Sequence, residues 1–318
     1  MKKRLFTGIL MLAIFIPLLV VNELFIGFQV LMMFLAVVAS HEMISMYEKD
    51  REFPGMSKYI IMGCSILLYL SAIAEWASQA NEQGSTLSYQ LLKLLNINIG
   101  FLPMTLLIIL IIFSMLVAYD SFNGVYVGKA LTVICYSGLG FAALTILRSV
   151  GLRFVLFMFI ITSFTDIFAY VFGSLFGKHK MAPNISPKKT WEGAICGTVI
   201  ATIAGTLFGF FYGAMFAGTF GPTNATTILN DTPFISKASL DRLGQVGIFF
   251  LIMILSFLTS VFGSIGDLVA SKLKRTYNIK DYGYIFPGHG GVLDRLDSAL
   301  FAALFLLAIF ALMTGFGG

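Results

Sequence analysis

The chain has 318 residues, 58% of them hydrophobic and only 12% charged, with a mean hydropathy of +0.90. No soluble domain of this length has such a composition, so the chain is read as an all-α, polytopic helical integral membrane protein. Its net charge of +5 is then the mark of Lys and Arg collected on one side of a bilayer, and nucleic acid is not expected as a partner.

The first 20 residues, MKKRLFTGILMLAIFIPLLV, have the basic start and apolar body of a secretion signal. They lack an A-x-A cleavage site and further spans follow, so they are read as a retained first helix. Apolar runs long enough for a hydrocarbon core of about 30 Å fall at Leu5–Val21, Leu24–Ser45, Tyr59–Ala74, Phe101–Ala118, Ala130–Leu147, Phe154–Phe176, Ala194–Ala217, Val246–Gly266 and Ser298–Thr314. With the N-terminus in the cytoplasm, the inside segments of these nine predicted helices hold sixteen Lys and Arg and the outside segments five. That asymmetry supports the orientation, although Arg148 and Arg153 lie in a short loop on the outer side and run against it.

His41 and Glu42 end the second predicted helix near the cytoplasm, as boundary residues or as functional ones. Asp166 lies mid-span in the sixth, with Ser163 and Tyr170 on about the same face. A carboxylate at that depth is a functional candidate by default, with a structural hydrogen bond as the alternative. The seventh helix carries Gly193, Gly197, Ala201, Gly205, Gly209, Gly213 and Ala217, a small residue at every fourth position. Such a stripe lets another backbone approach closely, within the bundle or across a homodimer. The outer segment 218–245 reads as a plain connector that includes acceptor-like triplets at Asn224 and Asn230. Cys64, Cys135 and Cys196 lie in apolar segments without metal-ligand spacing and are read as small buried hydrophobes.

Charge concentrates in two cytoplasmic loops, 177–193 and 267–297. The second holds five Lys or Arg and four Asp in its 31 residues, more than twice the density of the chain. Asp294 and Asp297 are three apart, on one face of a helix. Asp267 continues a polar stripe, Ser260, Ser264, Asp267, Ser271, at helical spacing, which should face a bundle interior or wet cavity. If the loop folds back, three carboxylates converge into the oxygen-rich setting that a hard divalent cation such as Mg²⁺ prefers. The alternative is that they pair with Lys274, Arg275 and Arg295 at the membrane surface. Pro287-Gly288-His289-Gly290-Gly291 is a turn whose backbone N–H groups can approach an anion. His289 there is a ligand, a proton donor or a structural hydrogen-bonder. Lys188, Lys189 and Glu192 stand near a helix start in the first loop, and Trp191 reads as an interfacial anchor.

Ser271, Leu273, Lys274, Arg275, Lys280, Asp281, Gly283, Phe286, Pro287, Gly288, His289, Gly290, Gly291, Asp294, Arg295 and Asp297 fit the signature S-x-L-K-R-x4-K-D-x-G-x2-F-P-G-H-G-G-x2-D-R-x-D. This resembles the phosphatidate cytidylyltransferase (CDP-diacylglycerol synthase) family, as does the upstream S-P-K-K-T-W-E-G at 186–193. The likeness implies one membrane domain over 1–318, with motif-free helices in 1–150 and catalytic helices in 154–318. It implies transfer of a cytidylyl group from CTP to phosphatidate in the bacterial plasma membrane. It also implies a Mg²⁺ centre, with K⁺ as a second candidate ion, at Asp267, Asp294 and Asp297. Lys274, Arg275, Lys280, Arg295 and His289 are then the other catalytic candidates. Gly288, Gly290 and Gly291 then belong to the nucleotide-phosphate turn, Lys188 and Lys189 contact the lipid phosphate or CTP, and Ser271 is a further substrate-binding candidate. A CTP-dependent lipid kinase and a secondary transporter are the competing readings. The first would release CDP, and the second would show inverted halves that the sequence lacks.

Overall fold

A computed structural model of the chain describes residues 2–79, 100–216, 226–230, 232, 235, 237–286 and 290–314. The elements in order are α1 (Lys2–Val20), α2 (Phe25–Tyr47), α3 (Ser57–Gln79), α4 (Phe101–Ala118), α5 (Gly124–Val150), α6 (Leu152–Phe176), β1 (Lys180–Ala182), β2 (Ser186–Thr190), α7 (Trp191–Phe210), α8 (Tyr212–Phe216), α9 (Lys237–Thr276) and α10 (Leu293–Thr314). Eight of these helices, all but α1 and α8, are long and apolar enough to cross a membrane. The first predicted span, Leu5–Val21, falls on α1, where Met11–Val20 forms a shorter apolar helix.

Several predicted boundaries move. The seventh span, placed at Ala194–Ala217, stops at Phe210, and the chain restarts as the short α8. The eighth, placed at Val246–Gly266, continues as helix to Thr276, and a separate short helix over 237–243 precedes it across a kink at Gly244 (φ 63°, ψ 176°), so that α9 is two helices. Hydropathy registers only the apolar part of a helix, and the ends of α9 are polar. Residues 237–243, read as connector, form the short helix before that kink. The charged loop 177–193 contains a β-hairpin, held by backbone pairing of Lys180 with Thr190 and Ala182 with Ser186.

The chain forms two compact units, Met1–Ile146 with Thr276–Arg295, and Leu147–Arg275 with Leu296–Gly318. In the first, Met32, Ala36, Ala39 and Met43 of α2 are fully buried, as are Ile61 of α3 and Ala130 and Val133 of α5. A π-helical turn at Ile134–Leu139 interrupts α5. It places the Ser137 hydroxyl 2.7 Å from that of Ser40. A Cβ on Gly138 would lie 2.9 Å from the Ser65 carbonyl oxygen, so α5 and α3 touch through their backbones. On α4, Leu102, Leu110 and Val117 point outward, the last 88% exposed, as suits a helix against lipid.

In the second unit, the small stripe of α7 lies along α6. A Cβ on Gly197 would fall 2.6 Å from the Thr165 carbonyl oxygen and 2.8 Å from the Ala169 nitrogen, and one on Gly193 would fall 2.8 Å from Gly173 Cα. From Gly193 to Gly209 the stripe therefore packs inside the chain; Gly213 lies beyond the end of α7, and Ala217 lies outside the described residues. Thr165 Oγ1 and Ser260 Oγ, 2.7 Å apart, tie α6 to α9. Gly266 brings α9 onto α10: its Cβ would stand 2.8 Å from the Asp297 carbonyl oxygen and 2.6 Å from Phe301 Cβ. Just above that contact the Phe262 and Phe305 rings stack at 4.4 Å. These close approaches carry three acidic residues into one neighbourhood.

Candidate active site

Asp166 on α6, Asp267 on α9 and Asp297 on α10 lie near enough to repel one another electrostatically. Asp297 is buried. Its Oδ1 accepts from the Ser298 N–H at 2.8 Å and the Ser298 hydroxyl at 3.3 Å, and that hydroxyl also bonds Asp166. Ser271, one turn beyond Asp267, donates to Asp267 Oδ1 at 3.4 Å. The Lys189 ammonium pairs with Asp267 Oδ2 and its charge reaches Asp166, while that of Lys274 reaches Asp297. Three carboxylates thus share two ammonium groups, leaving an excess of negative charge.

The β-hairpin delivers Lys189. On β2 Lys189 is half-buried against Asp267, while Lys188 is exposed. The hairpin is closed at its base by His179, whose Nδ1 lies 2.6 Å from Glu192 Oε1, and Thr190 caps α7 by accepting from the Gly193 N–H at 3.3 Å. At its tip the Arg275 guanidinium donates to the Ile185 carbonyl at 3.3 Å. Arg275, a predicted phosphate ligand, thus fastens the hairpin in this structure.

In the first unit, the segment from Tyr277 to Asp294 is held at both ends. At its start, Lys129, itself buried, places its ammonium 5.3–5.5 Å from the ring centres of Tyr47, Tyr126 and Tyr277 and 3.6 Å from Asp50. At its end, Asp294 Oδ2 accepts from the N–H groups of Tyr282 (2.7 Å) and Gly291 (3.0 Å). The Phe286 N–H donates to the Gly290 carbonyl at 3.1 Å, closing a turn in which Gly290 takes φ 86°. Gly288 and His289, within that turn, lie outside the described residues. Lys280 on this segment and Arg295 just after it are exposed.

Glu42, near the end of α2, reaches this segment. Its carboxylate, 3% exposed, accepts from the N–H groups of Val292 (2.9 Å) and Leu293 (3.1 Å) at the start of α10. It lies against Gly283 and Gly291, where a Cβ at 291 would come within 2.5 Å of Oε1. The signal available in the sequence was a carboxylate at the end of an apolar span, together with two glycines far downstream that turn chemistry alone does not require.

Among the described residues, no three His, Cys, Asp or Glu side chains converge on one metal position. The donor chemistry nonetheless fits Mg²⁺, a hard cation that takes one or two carboxylates and fills its remaining positions with water and substrate phosphate. Asp267 and Asp297 offer carboxylate oxygen, and an ammonium already rests on one of them.

Residues 2–313 match the model of the cytidylyltransferase family. The chain is 31% identical to a phosphatidate cytidylyltransferase of Staphylococcus epidermidis over 318 residues, which covers 99% of this chain and 100% of that protein. It is 32% identical over 305 residues to the phosphatidate cytidylyltransferase of Staphylococcus saprophyticus, and 31% identical over 305 residues to that of Staphylococcus aureus, each covering 95% of both chains.

Proposed function

Because the chain belongs to the cytidylyltransferase family, we propose that it transfers the cytidylyl group of CTP to phosphatidate, giving CDP-diacylglycerol and pyrophosphate for phospholipid synthesis. The observation that carries this reading is its similarity, over nearly its full length, to phosphatidate cytidylyltransferases. It is a multi-pass protein of the bacterial plasma membrane, and its charged loops face the cytoplasm, where CTP is found.

The chemistry asks little of a general base, because the lipid phosphate is already ionised near neutral pH. A phosphatidate oxygen attacks the α-phosphorus of CTP. A new P–O bond forms, the α–β bridging P–O bond breaks, and its electron pair leaves with pyrophosphate. The obstacle is repulsion among anions and their alignment. Lys189 and Lys274 supply positive charge beside the carboxylates, and Lys188 is exposed on the same hairpin, while phosphate binding by Lys280 and Arg295 rests on the signature alone. Asp267 and Asp297 would hold Mg²⁺, with K⁺ as the second candidate ion. When bound, Mg²⁺ supplies charge that offsets the triphosphate and the departing pyrophosphate. Metal ligation by Asp294 rests on the signature alone, since one of its oxygens already serves the loop.

Purified protein given phosphatidate, Mg²⁺ and CTP labelled at the α-phosphate should move label into the lipid fraction and release pyrophosphate. Release of labelled CDP without labelled lipid would replace this reading with a kinase. A second expectation concerns Lys189, whose ammonium occupies a carboxylate that the cation needs. Lys189→Met should lower the half-saturating Mg²⁺ concentration about two- to five-fold, the scale of one partly exposed charge pair, while raising the KM for CTP. An unchanged Mg²⁺ titration would mean that Asp267 does not bind the metal.

A further inference from the structure

We propose that Glu42 is a positioning residue for CTP: from a helix that otherwise carries no motif, it fixes the backbone at Gly283 and at 291–293. The proposal rests on the reading of the 283–291 loop as the nucleotide-phosphate turn. A buried carboxylate in an apolar helix is costly unless its acceptors are used, and Glu42 uses both oxygens on one short stretch of backbone, Val292 and Leu293. Two loop glycines are shaped to it. A Cβ at either Gly283 or Gly291 would strike the Glu42 carboxylate, so the carboxylate fills a seat that only glycine leaves open. Asp294 approaches the same stretch, its Oδ2 accepting from the Gly291 N–H, and it lies close enough to Glu42 for the two charges to repel. The two carboxylates therefore bind three consecutive N–H groups, 291 to 293, and the peptide planes of the turn's last residues cannot rotate without losing one of them. Glu42 acts on substrate through this backbone.

The test is steady-state kinetics of the full chain in detergent, varying CTP and phosphatidate separately, for Glu42→Gln, Glu42→Asp and Gly290→Ala. In Glu42→Gln the amide nitrogen faces a backbone N–H that it cannot accept from. The KM for CTP should rise about tenfold, with the KM for phosphatidate within twofold of wild type. Glu42→Asp, which keeps both acceptor oxygens, should recover most of that loss. A purely structural role would lower the active fraction and the melting temperature and leave both KM values unchanged, and that result overturns the proposal. Failure of both Glu42 variants to fold also overturns it, since Glu42 would then serve the fold as a whole. Gly290→Ala alters the turn directly. If its KM for CTP is unchanged, the loop does not handle CTP and the underlying reading fails. If its KM rises while that of Glu42→Gln does not, only the role of Glu42 fails.

Discussion

Asp297→Asn is expected to lower kcat for CDP-diacylglycerol formation by roughly 10²–10³-fold, the scale of losing one group that stabilises charge in a water-poor site, while leaving the protein folded. Asparagine has nearly the same shape, and its carbonyl oxygen still accepts from the Ser298 N–H now 2.8 Å from Oδ1. What disappears is one of three negative charges crowded together with Asp166 and Asp267. Removing it relieves repulsion, so the melting temperature in detergent should stay level or rise. Lost turnover with retained stability separates a functional carboxylate from a structural one. Near-wild-type turnover across a Mg²⁺ titration would remove Asp297 from the site.

Gly197→Val is expected to act through the fold. The new Cβ would meet the Thr165 carbonyl oxygen at 2.6 Å and the Ala169 nitrogen at 2.8 Å. Both are backbone atoms of α6 and cannot swing aside as a side-chain tip can. The helices must part, and the hydroxyl contact from Thr165 to Ser260 and the placement of the neighbouring Asp166 go with them. Overpacking typically costs about 1–3 kcal/mol, and a clash with fixed backbone falls at the upper end, so either a large drop in melting temperature or failure to recover folded protein should follow. Gly63→Ala on α3 is the control. Nothing lies within 4 Å of a Cβ there, and alanine is the better helix former by about 1 kcal/mol. A Gly197→Val protein as stable as wild type would mean that α6 and α7 do not pack through their backbones.

Much of this was legible in the sequence because membrane helices announce themselves one at a time. The run from Phe101 to Ala118 coincides with α4 because a wholly apolar span needs no partner to define its ends. The stripe on α7 was visible because a backbone-to-backbone contact demands small residues at fixed intervals. Helix outside the apolar stretch, such as residues 237–243, was not legible, because polar helix and polar loop share a composition. Nor was the hairpin that delivers Lys189, since backbone pairing leaves little trace in SPKKT. The shortest route to Asp166 would have been its partner Ser298, but 132 positions separate them in the chain. The glycines at 283 and 291 invited a reading as flexible turn residues, whereas the structure gives them a size constraint imposed by Glu42.

That constraint has a consequence for how the protein is made. Glu42 and its first backbone donor are separated by 250 positions. At about 5–20 residues per second of synthesis, the carboxylate leaves the ribosome roughly 10–50 s before Val292 and Leu293 exist to meet it. Through that interval the end of α2 carries a charge whose native acceptor bonds have not yet been made. A stretch made early is thus completed by one made 250 positions later, and the backbone at 291–293 takes its final form only then.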